Sequence, residues 1–469
     1  MHNTTKKAWL NASAALLLLA LAFAAVLSVN VSGTVEAQGV PAPTATPTDP
    51  SWRGFMAARE AVEEERNIDL TIIRSYDFDQ TEWRDGIHTC KADAPEEDVY
   101  FGWSYLITNV RGEAFQIRVA FDLSVVIVCD QVVTTTAAPV AEGTADPSLP
   151  APVTASGASG GFELGGHVVG LSGETVAAMR SARMTWVKKQ LRYNLGDGTG
   201  GAQALIASAR ANNFKILLGI VGNPSQMTDY NAYIATYANF VGEVAALGAD
   251  AIEVWNEPNI DREWPNGRVN GATYTQLLAA AYNAIKSRNP NTIVISGAPA
   301  PTGFFGAAGC AAAGCNDDTF MQQMAAAGAA RYMDCVGLHY NEGIVSPTAS
   351  SGDPRGNYPT YYFGTMTARG YNPFGGKPVC YTEFGYLTPE GWGPLSALFA
   401  WGADTSIQEQ ATWLGEAVRL ARSGGRVRLM IIWNVDFQVY NDDPQAGFAI
   451  IRRDRTCPAC SQLAAAMGG

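Results

Sequence analysis

The chain has 469 residues, 47 % of them apolar and 10 % aromatic, enough for two or three domains and a core deep enough to hold an active site. Thirty-two Lys and Arg against 44 Asp and Glu leave a formal net charge of −12, which argues against nucleic-acid binding through clustered cations. The 48 Gly follow no Gly-X-Y period, so a collagen-like fibre is excluded as well.

The chain opens with Lys6 and Lys7, an apolar run over residues 14–29, and small residues at Val35-Glu36-Ala37. Positive start, apolar middle and small-residue exit make residues 1–37 an export signal. The apolar run is long for a signal core and just short of a comfortable span, so a cleaved signal peptide and a membrane anchor both fit. Either one puts the bulk of the protein outside the cytoplasm, extracellular or in the cell envelope. The eight cysteines suit disulfide chemistry there.

Residues 38–50 are rich in Pro, Thr and Ala and read as a tether. The block 51–132 follows, with helical spacing over 52–67 and strand-like runs at 70–75, 99–108, 115–121 and 123–128. A small α+β domain with an antiparallel sheet is expected. Cys90 and Cys129 are its only cysteines and are expected to pair. Trp83 and Asp85 ahead of Cys90, with a last strand ending in Cys129, resemble a small domain common in exported bacterial proteins. That resemblance implies no activity, and the acidic runs at 63–65 and 96–98 read as solvated faces.

A second Pro/Ala/Thr/Gly linker covers 133–160. Strand candidates then fall at 162–168, 184–191, 214–221, 251–255, 292–296, 335–339, 378–382 and 427–433. Helix candidates lie between them at 174–181, 201–212, 230–247, 274–288, 318–328, 360–370 and 407–423. Eight strand–helix repeats across 161–469 predict a (β/α)8 TIM barrel, a fold of about 250 residues or more. An open doubly wound sheet would carry a Gly-rich turn after its first strand; here Gly165 and Gly166 lie inside that strand. Cys310 and Cys315 share a Gly/Ala loop. The Cys457-Pro-Ala-Cys460 run lacks a thioredoxin-like setting and reads as a local staple, while Cys335 and Cys380 read as buried thiols.

Active residues of such barrels sit at the C-terminal ends of the strands. Strand four ends in Trp255-Asn256-Glu257-Pro258 and strand seven in Thr382-Glu383-Phe384-Gly385. A charged side chain at the end of an apolar strand is costly unless a partner or a function keeps it. Two carboxylates facing one barrel mouth are the equipment of glycosidic-bond cleavage. The four histidines (His2, His88, His167 and His339) form no short zinc motif, so no local histidine-based zinc site is expected, and no motif implies an organic cofactor or a catalytic metal.

These two motifs resemble glycoside hydrolase clan A, the retaining glycosidases, and within it family 39 β-xylosidase-like and family 5 cellulase-like members. The resemblance implies Glu257 as acid/base, Glu383 as nucleophile, Asn256 on the sugar 2-hydroxyl and Trp433 as the floor beneath the ring. Strand six ends in adjacent His339 and Tyr340 where clan relatives space the two apart and use the Tyr to hydrogen-bond the nucleophile, so the resemblance offers Tyr340 as a contact of Glu383 and His339 as a ligand contact or a satisfied core histidine; Gly222-Asn223-Pro224 stands where many carry a histidine after strand three. Gln190 or Arg192 on strand two are candidates for a further sugar contact, a surface or supporting role fitting them equally well. Trp264, Tyr361, Tyr362, Phe363, Tyr386 and Trp392 are candidate stacking platforms. The expectation is an exported monomeric β-glycosidase with a carbohydrate partner. A non-hydrolysing glycan-binding protein and a transglycosylase are the alternatives.

Overall fold

The computed structural model describes residues 50–70, 73–83, 86–109, 111–134, 149–153, 160–302, 305, 309–356 and 358–468. The expected export signal, nearly all of the first tether, most of the second linker and Asp85 lie outside them. No described helix is long and apolar enough to cross a membrane.

The N-terminal unit lays helix α1 (Pro50–Arg66) on a sheet of β1 (Ile73–Glu82), β2 (Phe101–Asn109), β3 (Glu113–Ala120) and β4 (Val126–Thr134), in that order and antiparallel throughout. Alternation decides the buried face: Trp103, Tyr105 and Ile107 point in, and Leu106 between them is exposed. Phe55, Ala58 and Val62, at helical spacing, close the core from the helix side. The first strand starts later and runs further than the sequence implied, because Tyr76 and Phe78 continue the inward series. Cys90 and Cys129 are disulfide-bonded.

The second unit is the barrel. Its strands are β5 (Glu163–His167), β6 (Trp186–Arg192), β7 (Lys215–Val221), β8 (Ala251–Val254), β9 (Ile293–Ser296), β12 (Val336–Tyr340), β13 (Val379–Phe384) and β14 (Val427–Ile432), called barrel strands one to eight below. The short hairpin β10 (Cys310–Ala311) and β11 (Gly314–Cys315) sits in the loop after barrel strand five. Neighbouring barrel strands pair in parallel, strand eight pairs with strand one, and a bridge between Ile295 and Cys335 joins strands five and six. The sheet is therefore a closed (β/α)8 barrel.

The outer ring is α2 (Gly173–Ser181), α3 (Gly200–Ala211), α4 (Tyr230–Ala246), α5 (Gly271–Arg288), α6 (Asp317–Ala326), α7 (Phe363–Tyr371), α8 (Ile407–Gly424) and α9 (Pro458–Ala466), the last packing between α8 and α2. Side-chain caps fix several of its starts, Ser172 on Thr175 N and a capping box of Ser406 with Glu409 among them. Outward strand residues and inward helix faces form one large apolar core, whereas the barrel's lower interior is a separate small one of Trp186, Leu217, Ala251, Ile293, Ile295, Leu429 and Ile431.

Cys335 and Cys380 belong to that lower interior, and here the sequence expectation is corrected. They are buried but are not thiols: they form a disulfide, because adjacent parallel strands set their Cα atoms 5.8 Å apart on the same inward face. Cys310–Cys315 and Cys457–Cys460 are also disulfides, so all eight cysteines are oxidised, chemistry that persists in oxidising compartments.

Candidate active site

Above the lower interior the inward positions turn polar. On barrel strand two the inward series runs Trp186, Lys188, Gln190; on strand four it runs Ala251, Glu253; on strand six Cys335, Gly337, His339. Lys188, Glu253 and His339 have no exposed surface. Lys188 Nζ lies 2.9 Å from Glu253 Oε2 and 3.4 Å from Glu383 Oε1, and donates to Thr382 O at 3.1 Å. Gly219 on strand three makes room: a Cβ there would stand 3.1 Å from Glu253 Oε2 and 3.4 Å from Lys188 Cε.

Glu257 ends barrel strand four on a backbone that few sequences tolerate. Trp255 and Glu257 have φ of 79° and 45°, left-handed values that cost non-glycine residues about 1–3 kcal/mol each unless the surroundings enforce them. The surroundings do enforce them. Trp255 N donates to Ile220 O and its indole to Glu263 O, while Glu257 N donates to Ala298 O. Asn259, fully buried, pins the turn by donating to Ala300 O and Cys315 O and accepting from Ala300 N. The result aims the Glu257 carboxyl into the mouth, with Oε1 3.2 Å from His339 Nδ1 and Oε2 2.6 Å from Arg262 Nη2.

Glu383 arrives from the opposite wall. A register shift between strands six and seven sets it level with His339, and its Oε2 lies 3.9 Å from the same His339 Nδ1. Asn341 Nδ2 donates to Oε2 at 3.4 Å, and His167 Nδ1, at the end of strand one, lies 3.9 Å from Oε1. Glu257 Oε1 and Glu383 Oε2 are thus no further apart than 3.2 Å and 3.9 Å laid end to end.

Charges in this enclosure set one another. Burial disfavours the His339 cation, but Glu383 and Glu257 outweigh it and raise the ring's pKa. Burial likewise pushes Glu257 up, and the hydrogen bond from His339 together with Arg262 reverses that, holding the carboxyl below its usual value. Lys188 is disfavoured by burial and rescued above its usual value by Glu253 and Glu383. His167 is driven well down, by burial first and then by Lys188 and Lys189, and is neutral.

Asn256 is buried next to Glu257, and Trp433 is half-buried at the end of strand eight, its ring edge-on to His167 at 4.9 Å. Asn434 fixes the Trp433 backbone through bonds with Gln445 O and Phe437 N. Gln190 lies on Lys188's face one step nearer the rim and is half-buried. Arg192, next on that face, is held by both oxygens of Glu263.

Two expected contacts are corrected. Tyr340 alternates outward from His339; its hydroxyl donates to Tyr361 O and its ring stacks on Phe384 at 5.1 Å, so it faces the outer core and not Glu383. Trp264 has no exposed surface, packs edge-on against Trp255 and Tyr274, and donates to Arg268 O. Tyr361, Tyr362, Phe363 and Tyr386 are buried too; of the proposed platforms other than Trp433, only Trp392 stays half-exposed, stacked on Tyr440 at 5.6 Å.

Sequence reasoning missed His167, Lys188, Glu253 and Asn341. Buried side-chain atoms without a protein hydrogen-bond partner gather at this spot among the described residues: His167 Nδ1, Glu253 Oε1, Asn256 Oδ1, His339 Nε2 and Asn341 Oδ1. Such orphans are scarce in folded proteins, and a cluster of them marks a site built for polar company. No group of three or more His, Cys, Asp or Glu among the described residues is arranged to hold a metal ion.

No protein-family model matches the chain, and no curated protein does. Solved structures similar to it include the endo-1,4-β-mannanase of Rhizomucor miehei, 16 % identical over 68 % of this chain and 98 % of that one, with a TM-score of 0.44. Endoglucanase Cel5A of Thermotoga maritima is 12 % identical, covering 64 % and 96 %, with a TM-score of 0.40. A GH5-4 broad-specificity endoglucanase of Clostridium longisporum is 11 % identical, covering 63 % and 86 %, with a TM-score of 0.42.

Proposed function

We propose that the chain is an exported retaining β-glycosidase that hydrolyses O-glycosidic bonds of a polysaccharide or oligosaccharide by double displacement. One observation carries the reading: carboxylates from the ends of barrel strands four and seven converge on one imidazole nitrogen, 3.2 Å and 3.9 Å away. That convergence bounds their separation in a way compatible with the gap of about 5–5.5 Å used in double displacement, and near the lower limit of the ~6.5–9.5 Å range of single displacement.

In the first step a Glu383 oxygen bonds to the anomeric carbon while the bond to the leaving oxygen breaks, and that oxygen takes a proton from Glu257. In the second, Glu257 removes a proton from water as the water oxygen displaces Glu383. Lys188 and Asn341 orient the Glu383 carboxylate, Asn256 is placed for the sugar 2-hydroxyl, and Trp433 offers an apolar face under the ring.

The test is a screen of the purified protein on aryl β-glycosides and polysaccharides, with proton NMR of the first-formed product. A retained anomer is expected. Glu383→Gln and Glu257→Gln should each lower turnover of a substrate with a poor leaving group by about 100-fold or more. An inverted product, or wild-type rates in both variants, refutes the proposal.

A further inference from the structure

Glu257 has both oxygens engaged. Oε1 faces inward to His339, and Oε2, on the solvent side, carries the guanidinium of Arg262, which comes from the same loop five residues on. The two partners differ in kind. His339 is sealed in the barrel with no exposed surface, whereas 71 % of the Arg262 side chain is exposed against 12 % of Glu257. A general acid must hold a proton on an oxygen that a substrate can reach, and here that oxygen is the one the arginine covers.

We infer that Arg262 is a movable latch on the general acid, seated on Glu257 Oε2 in the free protein and displaced by the saccharide that enters on the leaving-group side. The inference rests on the glycosidase reading for its consequence but not for its geometry. Arg262 is a positioning residue. While seated it fixes the carboxylate in its charged form, and once displaced it lets Oε2 take the proton that the departing oxygen needs. Acid catalysis is then coupled to occupancy of the leaving-group side, and a substrate too small to move the arginine gains little from Glu257.

The other charges around Glu257 do not reproduce this control. His339 from strand six approaches the opposite oxygen, with Glu383 of strand seven beyond it. Lys188 of strand two is committed to Glu253 and Glu383. Glu263 and Asp443 act on Arg262 itself and favour its charge.

The experiment titrates Glu257 directly, by carbon NMR of protein labelled at the glutamate side-chain carboxyls, with Glu257→Gln identifying the signal. Arg262→Gln should move that carboxyl's pKa upward by about half a unit to one unit, a modest shift because the guanidinium is largely solvated, and Arg262→Lys should restore most of it. No shift in Arg262→Gln overturns the latch, whatever the protein's activity. In kinetics, Arg262→Gln should extend the alkaline limb of kcat/KM upward by a similar amount for an oligosaccharide, and leave a dinitrophenyl glycoside, whose leaving group needs no proton, unchanged. Equal effects on both substrates also overturn it. A protein that turns over neither substrate yet shows the titration shift keeps the latch and refutes the glycosidase reading alone.

Discussion

Replacing Lys188 with Met removes the ammonium in closest contact with two buried carboxylates while nearly preserving side-chain volume. At an effective dielectric constant of about 20, the 2.9 Å and 3.4 Å contacts correspond to roughly 5.7 and 4.9 kcal/mol of attraction. Desolvation of the ammonium offsets much of that gross sum, and truncating one partner of a buried pair costs about 3–5 kcal/mol net. The loss has a pH signature. A buried carboxylate stripped of its counter-cation is held more easily as the neutral acid than one in the unfolded chain, whose pKa is about 4.3. The folded variant then binds more protons than the unfolded chain, and its stability falls as pH rises from there. Urea unfolding followed by tryptophan fluorescence should show the largest deficit at pH 7 and a smaller one at pH 5. Lys188→Met with Glu253→Gln should be more stable at pH 7 than Lys188→Met alone. A deficit below about 1 kcal/mol, or one that does not change with pH, refutes the claim that Lys188 neutralises this pair.

Other perturbations separate structure from chemistry. Tyr340→Phe leaves the Tyr361 carbonyl without its donor and should lower stability by about 1–2 kcal/mol while kcat/KM stays at the wild-type value; a large kinetic loss would place the hydroxyl in the site after all. Opening Cys335–Cys380 by double alanine substitution frees a loop of 45 residues, worth about 4 kcal/mol by chain entropy, and should lower the unfolding midpoint without changing activity at room temperature. His339→Gln breaks a pair in which the imidazole pKa is raised and the Glu257 pKa lowered. The histidine's contribution is full below about pH 6.5 and fades as pH rises through its folded pKa, and the glutamate's is full above about 4.3 and fades as pH falls. Urea midpoints across pH 4–9 should therefore show the widest gap between wild type and His339→Gln between about 4.5 and 6.5.

The barrel was legible because its strands are short apolar runs and its helices carry capping and periodic signals, and the oxidised Cys335–Cys380 pair escaped only because strand adjacency is needed to see it. Glu257 and Glu383 stood out as charges ending apolar strands. The network beneath them did not. Lys188 sits in Trp186-Val-Lys-Lys-Gln-Leu-Arg192, which reads equally as an exposed polar strand end, and only closure of the barrel turns one face of it inward. Alternation along barrel strand six already sends His339 and Tyr340 to opposite faces, a signal that outweighs family spacing. Trp264 and Tyr386 show the reverse error: large rings in the loops of a barrel mouth most readily fill the space between loops and helices.

The arrangement of ions in the barrel also bears on which state of the reaction the protein is built around. Glu253, Glu257 and Glu383 face two buried cations, Lys188 and His339, and a third at the solvent edge, Arg262 on Glu257. In the proposed glycosyl-enzyme Glu383 is an ester and carries no charge, which leaves Lys188 to Glu253 and His339 to Glu257, one cation for each anion. The buried groups therefore balance on their own halfway through the cycle, whereas at its start they need Arg262 at the rim.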